Sequence, residues 1–297
     1  MVKEKIGSLW YTKKAYFFVL PSLFLFFFFF LYPLVYTAYI STTDANFFNI
    51  MKGPTFIGLE NYKVLIFEGR FFIPLLRTLL FMFTSIPLKV FAGLLLALLF
   101  NSLLLKAKRI LYVLILLPWA APWFFLVLIW RGMLNQDFGV INQVLSFFGL
   151  GQVNWLNDVG NAFVAYNIVE VYMAYPFMMS VIFGAMQSIQ SDLYESALMD
   201  GAATWAKFRY VTLPLIKKPL FWATIMTSIA SYLIFGVPFL LNRGGPARLN
   251  EFLLVYGYKE AFDLGFYGYA AAFMVLVFIL LVILIIPFLK LTKVIEE

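Results

Sequence analysis

The feature that most restricts this chain is the length of its apolar runs. Six of them, at 15–40, 78–100, 110–130, 161–186, 220–241 and 266–289, are long enough to cross a hydrocarbon layer, which takes about 20 apolar residues in a helix. Inside lipid every backbone N–H and C=O must be satisfied within the protein, so runs of this length fold as helices. The first run carries five consecutive phenylalanines at 26–30 and follows a segment with Lys3, Lys5, Lys13 and Lys14. It exceeds the roughly 7–15 apolar residues of a secretory signal and lacks a small-residue cleavage site, so it reads as a retained first span. Composition agrees. Of 297 residues, 63 % are hydrophobic and only 12 % charged, with a mean hydropathy of +0.91, against about 25 % charged in a soluble domain. The expected fold class is an all-α polytopic membrane protein with six transmembrane helices.

The net charge of +7 reads here as a topology signal and not as a nucleic-acid footprint. With six spans, segments 1–14, 101–109, 187–219 and 290–297 share one side and hold thirteen lysines and arginines. Segments 41–77, 131–160 and 242–265 hold eight over a much greater length. The positive-inside rule then puts both termini and the 187–219 loop in the cytoplasm. The organisation expected is a cytoplasmic segment 1–14, one transmembrane domain 15–290, and a cytoplasmic tail 291–297. The chain has no Cys and no His, which removes disulfides, thiolate or imidazole metal ligands and a histidine proton relay. No metal and no cofactor are expected on this chain.

The longest polar interruption is Gln187 to Pro219, read as QSIQSDLYESALMDGAATWAKFRYVTLPLIKKP. Ser191 and Asp192 are suited to cap a short helix, with Glu195 placed as in a capping box. Gly201 closes that helix, since glycine enters the left-handed region at little cost. A second short helix is expected from about Thr204 towards Val211, stopped before Pro214. Two short helices hinged at Gly201, flanked by Lys207, Arg209, Lys217 and Lys218, form either a docking surface or an ordinary loop with a basic collar.

The spacing of Glu195-Ser196-Ala197, Gly201 and Val211-Thr212-Leu213-Pro214 is similar to the coupling-loop motif of ABC importer permeases. That pattern is Glu-Ala-Ala, three residues, Gly, nine residues, Ile, any residue, Leu-Pro, and here Ser196 and Val211 are the substitutions. Other segments resemble the carbohydrate branch of the same family, in the expected order. They are Phe56-Ile57-Gly58-Leu59-Glu60-Asn61-Tyr62, Leu117-Pro118-Trp119, Ile129-Trp130-Arg131, Asp137-Phe138-Gly139, Gly244-Gly245-Pro246 and Gly268-Tyr269-Ala270-Ala271-Ala272. The resemblance implies a multi-pass protein of a prokaryotic cell membrane that moves a sugar by alternating access. It also implies a second permease subunit, two ATP-binding subunits that carry the ATP and Mg, and an extracytoplasmic solute-binding protein. The coupling residues it implies are Asp192, Glu195, Ser196, Ala197, Asp200, Gly201, Leu213 and Pro214. The sequence contains no G-x-x-x-x-G-K-[ST] phosphate loop of its own, so energy has to arrive through a partner.

Candidate solute-path residues are Asn167, Glu170, Tyr172 and Tyr175 in the fourth span and Lys89 in the second. Glu170 sits mid-span, where an ionisable group is a functional candidate by default, and Asn167 shares its helix face. Tyr172 and Tyr175 follow, rings suited to the apolar face of a sugar, and Pro176 frees a backbone carbonyl. Lys89 lies at the middle of the second span, about 16 Å from either end at about 1.5 Å per residue, too deep to snorkel. Glu170 therefore either contacts solute or pairs with Lys89 inside the bundle. Trp130 and Trp155 suit a membrane interface, and the abundant Phe suits lipid and core packing. An intramembrane enzyme would have to work with Glu170 and Lys89 alone, and a receptor or scaffold has no use for a glycine-hinged docking loop. Maltose-like oligosaccharides, trehalose and glycerol phosphate all remain open as solute.

Overall fold

A computed structural model of the chain describes residues 17–101 and 108–296. The basic segment 1–14, Lys106 and Glu297 lie outside the described residues. In chain order the helices are α1 (Phe17–Ile40), α2 (Glu60–Phe67), α3 (Phe72–Asn101), α4 (Lys108–Ala120), α5 (Trp123–Met133), α6 (Val140–Phe147), α7 (Val159–Gln187) and α8 (Ser191–Met199). They continue with α9 (Thr204–Lys207), α10 (Leu213–Tyr232), α11 (Gly236–Asn242), α12 (Leu253–Tyr258) and α13 (Tyr267–Glu296). Among the described residues the only extended pairing is a single bridge between Thr43 and Phe56. The chain divides into two compact units, residues 17–70 with 257–278 and residues 71–256 with 279–296.

In the first unit α1 is exposed from Phe17 to Tyr36, as an apolar surface made for lipid or another chain must be. The connection that follows it is held by the residues of the Phe56–Tyr62 segment. The Asn61 amide donates to the carbonyls of Ser41 and Thr43, each at 2.9 Å. The Tyr62 hydroxyl meets Ser41 Oγ at 2.6 Å. Gly58 takes φ +63°, a conformation that costs a side-chain-bearing residue strain. Asp44 closes the loop by accepting from the Thr55 N–H at 2.6 Å. Gly268, at the start of α13, lies so close to the Thr43 carbonyl that a Cβ there would collide with it.

The second unit is built on α3, α7 and α10, which pack against one another. The buried positions of α3 are Pro74, Thr78, Phe81, Ser85, Lys89, Gly93, Ala97 and Phe100. Their spacing of three and four residues makes one stripe along the helix. Two apolar clusters sit at its two ends. One gathers Phe81, Ala165, Tyr166, Val169 and Phe252; the other gathers Ala97, Phe100, Met178, Ile182 and Ala223. Gly93 admits the close approach of α7, since any Cβ would meet the side chain and backbone of Met178.

Three expectations are corrected here. The third run is not one straight span: α4 and α5 meet at 95° around Ala121 and Pro122. Pro122 has no N–H to give and drives the preceding residue out of the helical region. The fifth run is also interrupted, α10 ending at Tyr232 and α11 starting at Gly236, whose bare Cα receives the Trp123 ring. Pro214, finally, does not stop a second short helix. Helical backbone continues from α9 through a π-turn at Phe208–Thr212 into α10. The Leu213 N–H reaches back five residues to the Phe208 carbonyl. The widened turn relieves the clash of the proline ring with the carbonyl four residues before it.

Candidate functional site

Lys89 and Glu170 come together. Lys89 Nζ lies 3.0 Å from Glu170 Oε2 and donates a second hydrogen bond to Ser231 Oγ at 2.9 Å. The Lys89 side chain is 2 % exposed and that of Glu170 20 %. The ammonium also stands 5.6 Å from the centre of the Phe81 ring, an attractive approach of cation to π-face. An ammonium taken out of water at this depth persists only with partners. It has one on each of the two helices packed against α3. The group falls between the two apolar clusters, so its electrostatics act at low dielectric.

Beside this junction the second unit carries a groove of about 610 Å³. Its wall includes Thr84, Trp130, Phe163, Asn167, Tyr172 and Tyr175. Trp130 meets Tyr172 edge-on at 5.2 Å, and Tyr172 meets Tyr175 edge-on at 6.1 Å. The Asn167 carbonyl oxygen accepts from Thr84 at 3.0 Å while its amide donates to the Phe163 carbonyl at 2.9 Å. Three aromatic rings stand in a wall that is otherwise almost wholly apolar, and the Asn167 amide, bonded at both its oxygen and its nitrogen, is held fixed behind it. Lys89 and Glu170 are not part of this wall. Of the sequence candidates, Asn167, Tyr172 and Tyr175 thus face the groove and Glu170 faces Lys89. Trp130, expected at a membrane interface, belongs to the groove wall. Thr84 and Ser231 were not singled out by sequence, because an isolated hydroxyl in an apolar run carries no pattern. α7 passes Pro176 without a break.

At the end of α7 the 187–219 segment takes shape. The helix α8 starts at Ser191 with Gln190 before it and has no side-chain cap. The expected capping box is therefore not formed: Ser191 Oγ turns to the Asp192 carboxylate at 3.3 Å instead. Its other end is as expected. Asp200 is the C-cap and Gly201 follows with φ +78°. The Ala202 N–H reaches the Ala197 carbonyl at 2.8 Å and the Gly201 N–H that of Leu198 at 3.0 Å. These two bonds define a Schellman closure. Asp192, Glu195, Ser196 and Pro214 are exposed, Ala197 and Leu213 half-buried. Met199 is 89 % and Trp205 71 % exposed, large apolar side chains beside the hinge that the motif did not single out. Tyr194 ties α8 to the π-turn through its hydroxyl, 3.0 Å from Thr212 Oγ1.

At the opposite end of the unit, Asn242 joins three segments. Its amide donates to the Leu156 carbonyl at 2.7 Å and the Gly245 carbonyl at 3.2 Å, and its oxygen accepts from the Tyr166 hydroxyl. The Gly244-Gly245-Pro246 segment is thus a structural turn. Gly244 sits at φ +73° against Glu251.

The described helices and the hinged polar segment leave the class to be set by relatives. Residues 65–290 match the family described as the binding-protein-dependent transport system inner membrane component, and the chain belongs to that family: it is a multi-pass permease subunit of a prokaryotic ABC importer. It is 35 % identical over 282 residues to the trehalose/maltose transport system permease protein MalF of Thermococcus litoralis, covering 94 % of this chain and 93 % of that one. It is 30 % identical over 269 residues to the galactooligosaccharides transport system permease protein GanP of Bacillus subtilis, covering 86 % and 64 %. The maltose/maltodextrin permease MalF of Escherichia coli is 37 % identical over 228 residues, covering 73 % of this chain and 44 % of that one. The fold is shared with a crystal structure of a bacterial ABC transporter involved in the import of the acidic polysaccharide alginate. There the TM-score is 0.85 at 22 % identity, over 98 % of this chain and 100 % of that one. The intramembrane-enzyme and receptor readings fall with this assignment.

Proposed function

We propose that the solute of this permease is a sugar, an oligosaccharide or a related polyol or sugar phosphate, received in the groove of Trp130, Asn167, Tyr172 and Tyr175. The observation that carries the reading is the groove itself, where Trp130, Tyr172 and Tyr175 present aromatic side chains at mid-span. The names of the relatives, trehalose/maltose and galactooligosaccharide permeases, support the same class of solute. The partners in this reading are a second permease subunit, two ATP-binding subunits that hold ATP and Mg, and an extracytoplasmic solute-binding protein. The exposed segment around Glu195, Gly201, Leu213 and Pro214 receives the motor from the cytoplasm, and membrane lipid surrounds the apolar faces. No nucleic acid takes part.

The test is reconstitution. The chain purified alone should hydrolyse no ATP. With its partner permease, motor subunits and loaded binding protein, hydrolysis should rise and labelled maltose or trehalose should enter the vesicle. Robust hydrolysis by this chain alone would refute the assignment, and import insensitive to Tyr172→Ala and Trp130→Ala would move the solute elsewhere.

A further inference from the structure

The junction at Lys89 joins three helices through one ammonium. Glu170 is on α7, the helix that supplies most of the groove wall; Ser231 is on α10; Lys89 is on α3. Glu170 balances the charge, and the remaining N–H donors of the buried ammonium still need acceptors, one of which is Ser231. Ser231 places the second partner on α10, the helix that leaves the exposed segment, whereas α7 with Glu170 enters it. Helical backbone runs unbroken from Thr204 to Tyr232, which at about 1.5 Å per residue places Ser231 about 40 Å along from its start. The near end of that rod is tied to α8 by the Tyr194–Thr212 contact of 3.0 Å.

We propose that Lys89 is a positioning residue of the transport step, and that its bond to Ser231 transmits displacement of α10 to Glu170 and so to the groove face of α7. The proposal rests on the importer reading above. Ser231 and Lys89 are 0 % and 1 % exposed, so water cannot readily replace either partner as the helices move. Packed interiors are bistable and not continuously deformable. A junction of this kind either moves with α10 as a unit or breaks at once. Glu170 lies one turn from Asn167 and two residues from Tyr172, so a shift of its backbone re-aims both groove residues.

The experiment uses the complete assembly in proteoliposomes, with maltose and trehalose as probes and solute taken up per ATP hydrolysed as readout. Ser231→Ala should lower that ratio by about tenfold, the equivalent of one hydrogen bond to a charged group. Ser231→Thr, which keeps the hydroxyl, should restore it. A packing role alone would leave the ratio unmoved. A wild-type assembly that hydrolyses ATP yet imports neither probe counts against the sugar reading, and the junction is then judged by distance. Spin labels at Gly184 on α7, which is exposed and outside the groove, and Met226 on α10 should keep their separation on ATP binding in the wild type and change it in Ser231→Ala. Equal uptake ratios in the wild type and Ser231→Ala, or equal label behaviour in the two, overturn the proposal.

Discussion

Gly93 of α3 and Met178 of α7 touch where the two helices come closest, and a Cβ on Gly93 would stand 2.6 Å from Met178 Cβ and 3.0 Å from its backbone carbon. A rotamer change moves Met178 Cγ but not those two atoms, so the helices would have to part. Gly93→Ala should destabilise the protein by about 1–3 kcal/mol, the usual cost of overpacking a fitted core. Gly184→Ala is the control. Nothing lies within 4 Å of its added methyl group, and in a helix the change should be neutral to mildly stabilising. Thermal unfolding in detergent measures both, and equal melting temperatures for the two variants would contradict the packing argument.

Removing either half of the Lys89–Glu170 pair leaves a buried charge. Glu170→Gln or Lys89→Met alone should destabilise by up to about 3–5 kcal/mol, the value for breaking a fully buried pair. The Glu170 side chain keeps 20 % exposure, so the lower part of that range applies. The double variant should recover most of the loss, because neither charge is then left unpaired. A double variant no more stable than the singles would show that the two residues act independently.

The hinge at Gly201 should depend on its backbone and not on nearby charge. Its φ of +78° has open space around it, so a substituent meets strain and not a clash. A left-handed residue bearing a Cβ costs about 1–2 kcal/mol, and β-branching adds to that. Gly201→Val should leave the spans inserted but reduce co-purification of the motor subunit and solute uptake. Lys207→Gln should be milder. Normal values of both for Gly201→Val would remove the coupling role.

Asn61 supports the first unit by two hydrogen bonds of 2.9 Å to carbonyls that follow α1. Asn61→Ala leaves both acceptors short of a partner, a loss of about 1–3 kcal/mol. Amide hydrogen exchange should then rise across residues 41–62 and stay unchanged in α7. Exchange that is unchanged throughout would mean that water replaces the amide at no cost.

The orientation set by the basic residues is tested by labelling, which the Cys-free background makes clean. Cysteine at Asn157 should react from outside intact cells and cysteine at Lys217 only after permeabilisation. Both side chains are exposed. Labelling of both from outside would invert or redraw the topology.

The apolar runs were legible because they are local and lipid allows a chain of that length one solution, so the helices at 17–40, 72–101, 159–187 and 267–296 fall where hydropathy puts them. Gly201 was legible too, since its conformation follows from its own missing Cβ. The 187–219 motif named the class of protein before any coordinate did. Periodicity also placed Asn167, Glu170, Tyr172 and Tyr175 on one helix. It could not say which of them faced the groove, and it left Glu170 between solute and lysine. Tertiary structure decided that, because the partner of Glu170 is 81 residues away and the second partner of Lys89 is 142 residues away. The same holds for the 95° break at Pro122 and for the helix that continues through Pro214. A proline forbids one hydrogen bond, but whether the chain then bends or widens a turn depends on what packs against it. Sequence determined which segments enter the membrane; packing among α3, α7 and α10 determined which polar atoms meet inside it.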